Sequence, residues 1–316
     1  GAGATGSSVG ASADGGWAVD TSDCPGDVND VIEGELLLGS AMPLSGGYAG
    51  AFEPVSRGLQ AYVDYANEHD MLNGVTIRLS IGNDEYDEGK TPGVVNSLLD
   101  DGVDVVTGLI GTQGALAVRD VLNEECVPML NLLTGDPRWG TEVADYPWTT
   151  GVMTGYHHEF RGYAQAISEM FPEAKVGVYY VASEFGEISS HAFKDAAAEY
   201  GVEVVGEATV EGGSLEVPDA QVASLVGAGA DVLLAVPLGL QCITFLGAVA
   251  SAKAQNEGWD PAVFLTNTCG ASALIMAGAS TDGMPPGAFA DGIYTSANMG
   301  LKDVADPAVA ASDPEV

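Results

Sequence analysis

Residues able to do chemistry are few in this chain, and most stand in patterns that cannot do it. The four histidines, His69, His157, His158 and His191, form no HExxH pattern, and neighbouring His157 and His158 would leave a helix in different directions, so no zinc site is predicted. Asp84, Glu85, Asp87 and Glu88 lack the ligand order and central glycine of a calcium loop and read as a solvated loop rim. Gly1, Gly3 and Gly6 spell GxGxxG, and Gly6, Ser8 and Gly10 spell GxSxG. Neither has the strand before it and the helix after it that phosphate binding or a nucleophile elbow requires. No base and nucleophile occupy matched loops, so catalysis, metal and cofactor are all expected to be absent.

Two loops of small polar residues are left. One is Gly111, Thr112, Gln113 and Gly114; the other is Leu133, Thr134, Gly135, Asp136 and Pro137. A helix beginning at the first loop has leading N–H groups without intrahelical acceptors, and a hydroxyl beside such groups can hold a carboxylate. Taken singly, each loop also fits a threonine cap or a plain turn. Together, on adjacent strands, they could grip one anionic or carbonyl group.

The elements that would position these loops alternate strand and helix, the pattern of βαβ units around a parallel sheet. Strands are predicted at 36–41, 76–81, 103–108 and 127–132, with helices at 54–68, 94–99 and 115–123. A second series follows, with strands at 175–181, 202–209, 232–236 and 263–266 and helices at 156–170, 189–200, 220–226 and 242–255. Both polar loops follow strands, the edge at which open α/β sheets bind ligands. Val232 to Ala250 carries no charge over about a membrane's span of residues, but Pro237 and Gly239 break it into strand, loop and helix. Residues 1–30, rich in Gly, Ala, Ser, Thr and Asp, read as a flexible tether.

Composition narrows the partners. The 316 residues carry 10 Lys plus Arg against 45 Asp plus Glu, a net charge of −35. Phosphate recognition needs basic side chains, so nucleic acid is excluded, and an anionic membrane surface would repel the chain. With 46% hydrophobic residues there is material for sizeable cores, about two domains at this length. Four cysteines, Cys24, Cys126, Cys242 and Cys269, include no CxxC pair and are compatible with a disulfide framework or with buried thiols.

The chain resembles the periplasmic type I solute-binding proteins of branched-chain amino acid ABC transporters, from about Glu35 to its end. The likeness is carried by LLLGSAMPLSGGYAGAFEPVSRGLQAYVDYAN, GLIGTQGALAVRDVLNEECVPMLNLLTGDPRWG, YPWTTG and VYYVASEFGE. The resemblance implies an α/β fold of two hinged lobes, each a parallel sheet flanked by helices, closing on a ligand. Lobe 1 would span 31–150, lobe 2 151–296, and 297–316 would turn back towards lobe 1, leaving the chain truncated at its C-terminus. By position, Thr112 resembles the hydroxyl that takes the ligand carboxylate, and Leu133, Thr134 and Gly135 the segment meeting the ligand backbone; Gly111 and Gln113 flank them. Phe185 matches a cleft aromatic of the second lobe. Ala51 stands where a first-lobe aromatic is usual, with Phe52 next to it, and Leu238 replaces another aromatic. Thr268 stands where amino-acid binders place the carboxylate that pairs with the ligand ammonium, with Glu184 or Asp136 as candidate substitutes.

On that fold Cys242 and Cys269 both follow strands of lobe 2, while Cys24 and Cys126 both precede strands of lobe 1, so the expected bridges are 24 to 126 and 242 to 269. The implied function is extracytoplasmic capture of a small carboxylate-bearing ligand (an apolar amino acid, or a related amide or aromatic acid), without enzymatic chemistry. The implied partners are the ligand and ABC permease subunits, with membrane attachment only through a lipid anchor outside this chain. The ligand-sensing domain of a receptor is the alternative from another class.

Overall fold

A computed structural model describes residues 9–11, 17–25, 32–270 and 292–296. The described elements are β1 Val9–Ala11, β2 Trp17–Val19, β3 Glu35–Met42, α1 Ala49–Glu68, β4 Thr76–Asn83, α2 Thr91–Asp100, β5 Val105–Thr107, α3 Thr112–Glu124, β6 Met129–Leu132, α4 Arg138–Thr141 and β7 Thr149–Gly151. They continue as α5 Tyr156–Met170, β8 Lys175–Ala182, α6 Glu184–Tyr200, β9 Glu203–Glu211, α7 Asp219–Gly227, β10 Val232–Val236, α8 Gln241–Gln255, β11 Ala262–Leu265, a 3-10 turn at Asn267–Cys269 and β12 Ile293–Thr295.

Two five-stranded sheets organise these elements, in the orders β4-β3-β5-β6-β7 and β12-β11-β10-β8-β9, and every pairing within them is parallel. Burial on both faces explains their composition. All five residues of β10 are buried, as are six consecutive residues of β8, the apolar runs that a helix-covered parallel sheet demands. The helices cover the sheets with stripes at helical spacing: Ala115, Val118 and Leu122 from α3, and Phe160, Tyr163, Ala164 and Ile167 from α5. The first core gathers Leu37, Val95, Leu98, Val106, Leu109, Leu122 and Met129. The second and larger core centres on Phe160, Tyr179, Phe193, Phe245 and Phe264.

The structure agrees with the expected strand, loop and helix after Val232 and with both expected disulfides, and departs from the expectations for the tether and the paired histidines. The uncharged run from Val232 resolves into β10, a loop and α8, and no described helix is long and apolar enough to cross a membrane. Part of the stretch read as a tether forms an antiparallel pair, β1 with β2, and Cys24 is bonded to Cys126 at the foot of the first sheet. The second bridge joins Cys242 to Cys269. His157 and His158 do not diverge: their ring centroids lie 3.8 Å apart, because both fold back over Gly155, where no side chain stands in the way. Residues 297–316 and 1–8 lie outside the described residues, the latter holding all of the GxGxxG motif and Gly6 and Ser8 of the GxSxG motif, whose Gly10 falls in β1.

Candidate functional site

A cavity of about 270 Å³ lies between the carboxyl edges of the two sheets. Its wall is assembled from residues that follow strands. Phe52 and Val55 come from α1 after β3, Tyr86 from the loop after β4, Ile110 and Gly111 after β5, and Leu133 after β6. Val152, Met153 and Tyr156 follow β7, the segment that passes from one sheet to the other, and Phe185, Leu238, Asn267 and Thr268 follow β8, β10 and β11. Loops at the carboxyl ends of parallel strands converge because every strand of a sheet points the same way.

Local sequence places the aromatic members. Ser183 caps α6 by accepting from the Gly186 amide at 3.4 Å, which starts the helix five residues before the periodicity suggests and puts Phe185 in its first turn. Phe185 is almost fully buried and meets Tyr156 edge to face at 5.2 Å. Helix α1 likewise begins at Ala49, ahead of Pro54, so Phe52 enters the wall from a helical turn. Its ring lies parallel to Tyr86 at 6.1 Å. Gly111 has φ +105°, and a Cβ there would fall 2.6 Å from the Tyr86 ring; glycine both permits the turn into α3 and leaves room for the tyrosine.

Of the residues predicted from sequence, Phe52, Gly111, Leu133, Phe185, Leu238 and Thr268 stand in the wall. Thr112, Thr134 and Gly135 stand behind it, joined to Tyr156, and Gln113 is not part of it. Thr112 and Thr134 are fully buried with their hydroxyls 2.6 Å apart, and Tyr156 donates its hydroxyl to Thr134 at 3.2 Å. Burial raises the phenol pKa of Tyr156 and of Tyr86, so both remain protonated donors at neutral pH. Gly135 accepts from the Tyr156 amide at 2.7 Å and is pressed against the Thr154 carbonyl.

Sequence reasoning did not single out Val55, Tyr86, Ile110, Val152, Met153, Tyr156 or Asn267. The usable signal was position after a strand, which all of them share. Asp84, expected on a solvated rim, is instead buried and accepts from the Tyr86 amide at 3.0 Å and the Thr91 hydroxyl at 3.1 Å. That turn aims Tyr86 at the cavity.

No charged side chain contributes to the wall among the described residues. Asp136 and Glu184, the candidate ammonium partners, are both engaged by Arg138, at 2.6 Å and 2.9 Å. A third acid lies nearby: Glu159 on α5 is buried and accepts from the Asn267 amide at 2.7 Å, from the Asn267 side chain at 2.5 Å and from Ser296 and Tyr163 at 3.0 and 3.1 Å. Desolvation raises its pKa. Its donors hold the loop after β11, and it is one residue removed from the wall. The site can therefore surround an apolar body with four aromatic rings and offer hydroxyl and amide donors at one end, without a counter-charge for an ammonium.

The family model for periplasmic binding proteins matches residues 36–311. The Leu/Ile/Val-binding protein homolog 3 of Brucella melitensis is 26% identical over 199 residues, which cover 63% of this chain and 53% of that protein. The homolog 2 of Brucella abortus is 31% identical over 103 residues, covering 33% of this chain and 28% of that protein. The chain spans about half the length of the first of these relatives. Among solved structures, a possible leucine/isoleucine/valine-binding protein from Rhodopirellula baltica shares 18% identity at a TM-score of 0.73, covering 92% of this chain and 78% of that one. A solute-binding protein of an R. palustris ABC transporter, in complex with benzoate, shares 21% identity at a TM-score of 0.66, covering 82% and 73%.

Proposed function

The chain belongs to the periplasmic binding protein family, and from that premise we propose that it captures a small apolar acid between two hinged lobes and presents the closed form to the permease of an ABC importer. The lobes are residues 31–150 and 151–296, each holding one of the two sheets, and capture takes place outside the cytoplasm with no chemistry performed. The observation that carries the reading is the cavity itself, lined from both sheets by Phe52, Tyr86, Tyr156 and Phe185 and backed by the Thr112–Thr134 hydroxyl pair. A ligand body buried there loses apolar surface to both lobes at once, so binding and closure are one event.

Within that class the ligand is an acid lacking an α-ammonium, such as a short aliphatic or aromatic acid. An ammonium transferred from water into this wall would be a buried charge without a carboxylate partner, which is strongly unfavourable. A carboxylate has the hydroxyl pair and the leading amides of α3. The second reading, an apolar amino acid, draws support from the names of the Brucella and Rhodopirellula proteins and from no feature of the wall. A thermal-shift series decides between them: at one hundred times its dissociation constant a ligand adds about 2.7 kcal/mol of stability. Octanoate or benzoate is expected to raise Tm while leucine does not. A shift with leucine alone would establish the amino acid, and no shift with any class would remove the capture reading.

A further inference from the structure

Ion pairs among the described residues are local with one exception. Arg57 with Glu53, Arg78 with Glu35, Lys90 with Glu85 and Arg119 with Glu142 stay beside the first sheet. Arg161 with Glu199, Lys194 with Glu207 and Lys253 with Asp260 stay beside the second. Arg138, at the start of α4, pairs with Glu184 at the start of α6 and so crosses from one half to the other.

Arg138 is held ready for that reach. The Asp136 carboxylate is fully buried and accepts from the Arg138 backbone amide at 2.8 Å, from Nε at 3.0 and 3.1 Å and from Nη2 at 2.6 Å. A buried carboxylate holds its cation tightly, because separation would strand a charge away from water. Asp136 and Arg138 therefore move as one unit with the first lobe. The same Nη2 then meets Glu184 Oε1 at 2.9 Å. Glu184 is half-exposed and is the residue before Phe185, while Asp136 is the residue after Gly135. The bridge thus clasps the polar loop of one lobe to the aromatic helix start of the other, at the cavity's edge and outside its wall. On a chain of net charge −35, two acidic lobes repel as they approach, and a cation placed at their seam opposes that repulsion.

We propose that Arg138, oriented by Asp136, is an electrostatic latch that captures Glu184 only when the lobes close, so that it shifts the open–closed equilibrium and sets affinity without touching the ligand. The latch rests on the capture reading for its effect on affinity, but its effect on shape does not. A second contact supports a closed seam in this structure: the Gly213 amide donates to the Tyr48 hydroxyl at 2.5 Å, again from one half to the other.

The test compares the full chain with Glu184→Gln, Glu184→Lys and, as a control on the same helix, Glu187→Gln. Small-angle X-ray scattering is recorded without ligand, and dissociation constants are measured for octanoate, benzoate and L-leucine. Loss of the bridge in Glu184→Gln is expected to weaken the bound probe about twofold to fivefold. The like charge in Glu184→Lys is expected to weaken it about tenfold or more and to enlarge the ligand-free radius of gyration. At 1 M NaCl the gap between the parent chain and Glu184→Gln should narrow, since screening weakens the bridge in the parent alone. Unchanged affinity and scattering in Glu184→Lys, or an equal change in Glu187→Gln, would overturn the latch. If none of the three probes binds the parent chain, capture of such acids fails, and scattering alone then decides: an enlarged Glu184→Lys sustains the latch and an unchanged one overturns it.

Discussion

The hydroxyls of Thr112 and Thr134 lie 2.6 Å apart and either can donate to the other, while Tyr156 donates to Thr134. In the arrangement in which Thr134 donates to Thr112, the proposed site has the Thr112 proton for a ligand carboxylate at the start of α3. Thr112→Ala removes that donor and leaves Thr134 without its partner. It is expected to weaken the acid that binds by about 1–3 kcal/mol, read by calorimetry, while Thr112→Ser, which keeps the hydroxyl, restores most of the loss. Equal affinity in the alanine variant would move the carboxylate elsewhere in the cavity. Thr112 and Thr134 were singled out as a pair of hydroxyls after adjacent strands, although each singly also fits a cap or turn; the structure joins them by a hydrogen bond behind the wall. Tyr86 and Tyr156 were not, since a tyrosine near a helix start reads equally well as core. Asp84 misled for a related reason: an acidic run looks solvated, and only the turn geometry shows that one member is buried to orient Tyr86.

At the scale of elements, order and type of the longer strands and helices followed from periodicity, whereas helix starts did not. The start of α1 has no side-chain cap, and that of α6 is set by the Ser183 cap and the close approach of Gly186 to β8, so neither shows in the apolar periodicity; both starts carry wall residues. Gly186 shows why. In the first turn of α6 it lies so close to β8 that a Cβ would fall 1.8 Å from the Val181 carbonyl oxygen. A glycine three residues after Ser183 therefore lets the helix begin hard against the strand end, and that placement seats Phe185 in the cavity. Gly186→Ala must push the helix start away from β8. Overpacking of this kind destabilises by about 1–3 kcal/mol, measurable by urea denaturation, and ligand affinity should fall with it as Phe185 is displaced. A variant within about 0.5 kcal/mol of the parent, with affinity intact, would show that the strand end yields easily and that α6 is not positioned by this contact. The short elements β1, β2, α4, β7 and β12 were also missed, being too short for periodicity to register.

For the molecule as a whole, charge is the property that sequence states most plainly and that coordinates explain least. Both hydrophobic cores are built from uncharged residues, and few acids are buried among the described residues, so most of the 45 acids against 10 bases lie on surfaces, where like charges repel across distances that salt controls. The screening length falls from about 30 Å at 0.01 M salt to about 10 Å at 0.1 M and about 3 Å at 1 M. Unfolding separates these charges, so their repulsion favours the unfolded chain, and screening it should stabilise the fold. The local ion pairs pull the other way, but exposed pairs contribute little each, and they are far outnumbered by unpaired acids. Tm measured by calorimetry at pH 7 is therefore expected to rise with NaCl, steeply below about 0.3 M, where screening changes fastest. A gain growing steadily to molar salt would instead reflect solute exclusion and stronger apolar burial. A flat or falling Tm over the low-salt range would mean that the acids are arranged so as not to oppose one another, and the lobes would then close without the repulsion that the Arg138 latch is there to offset.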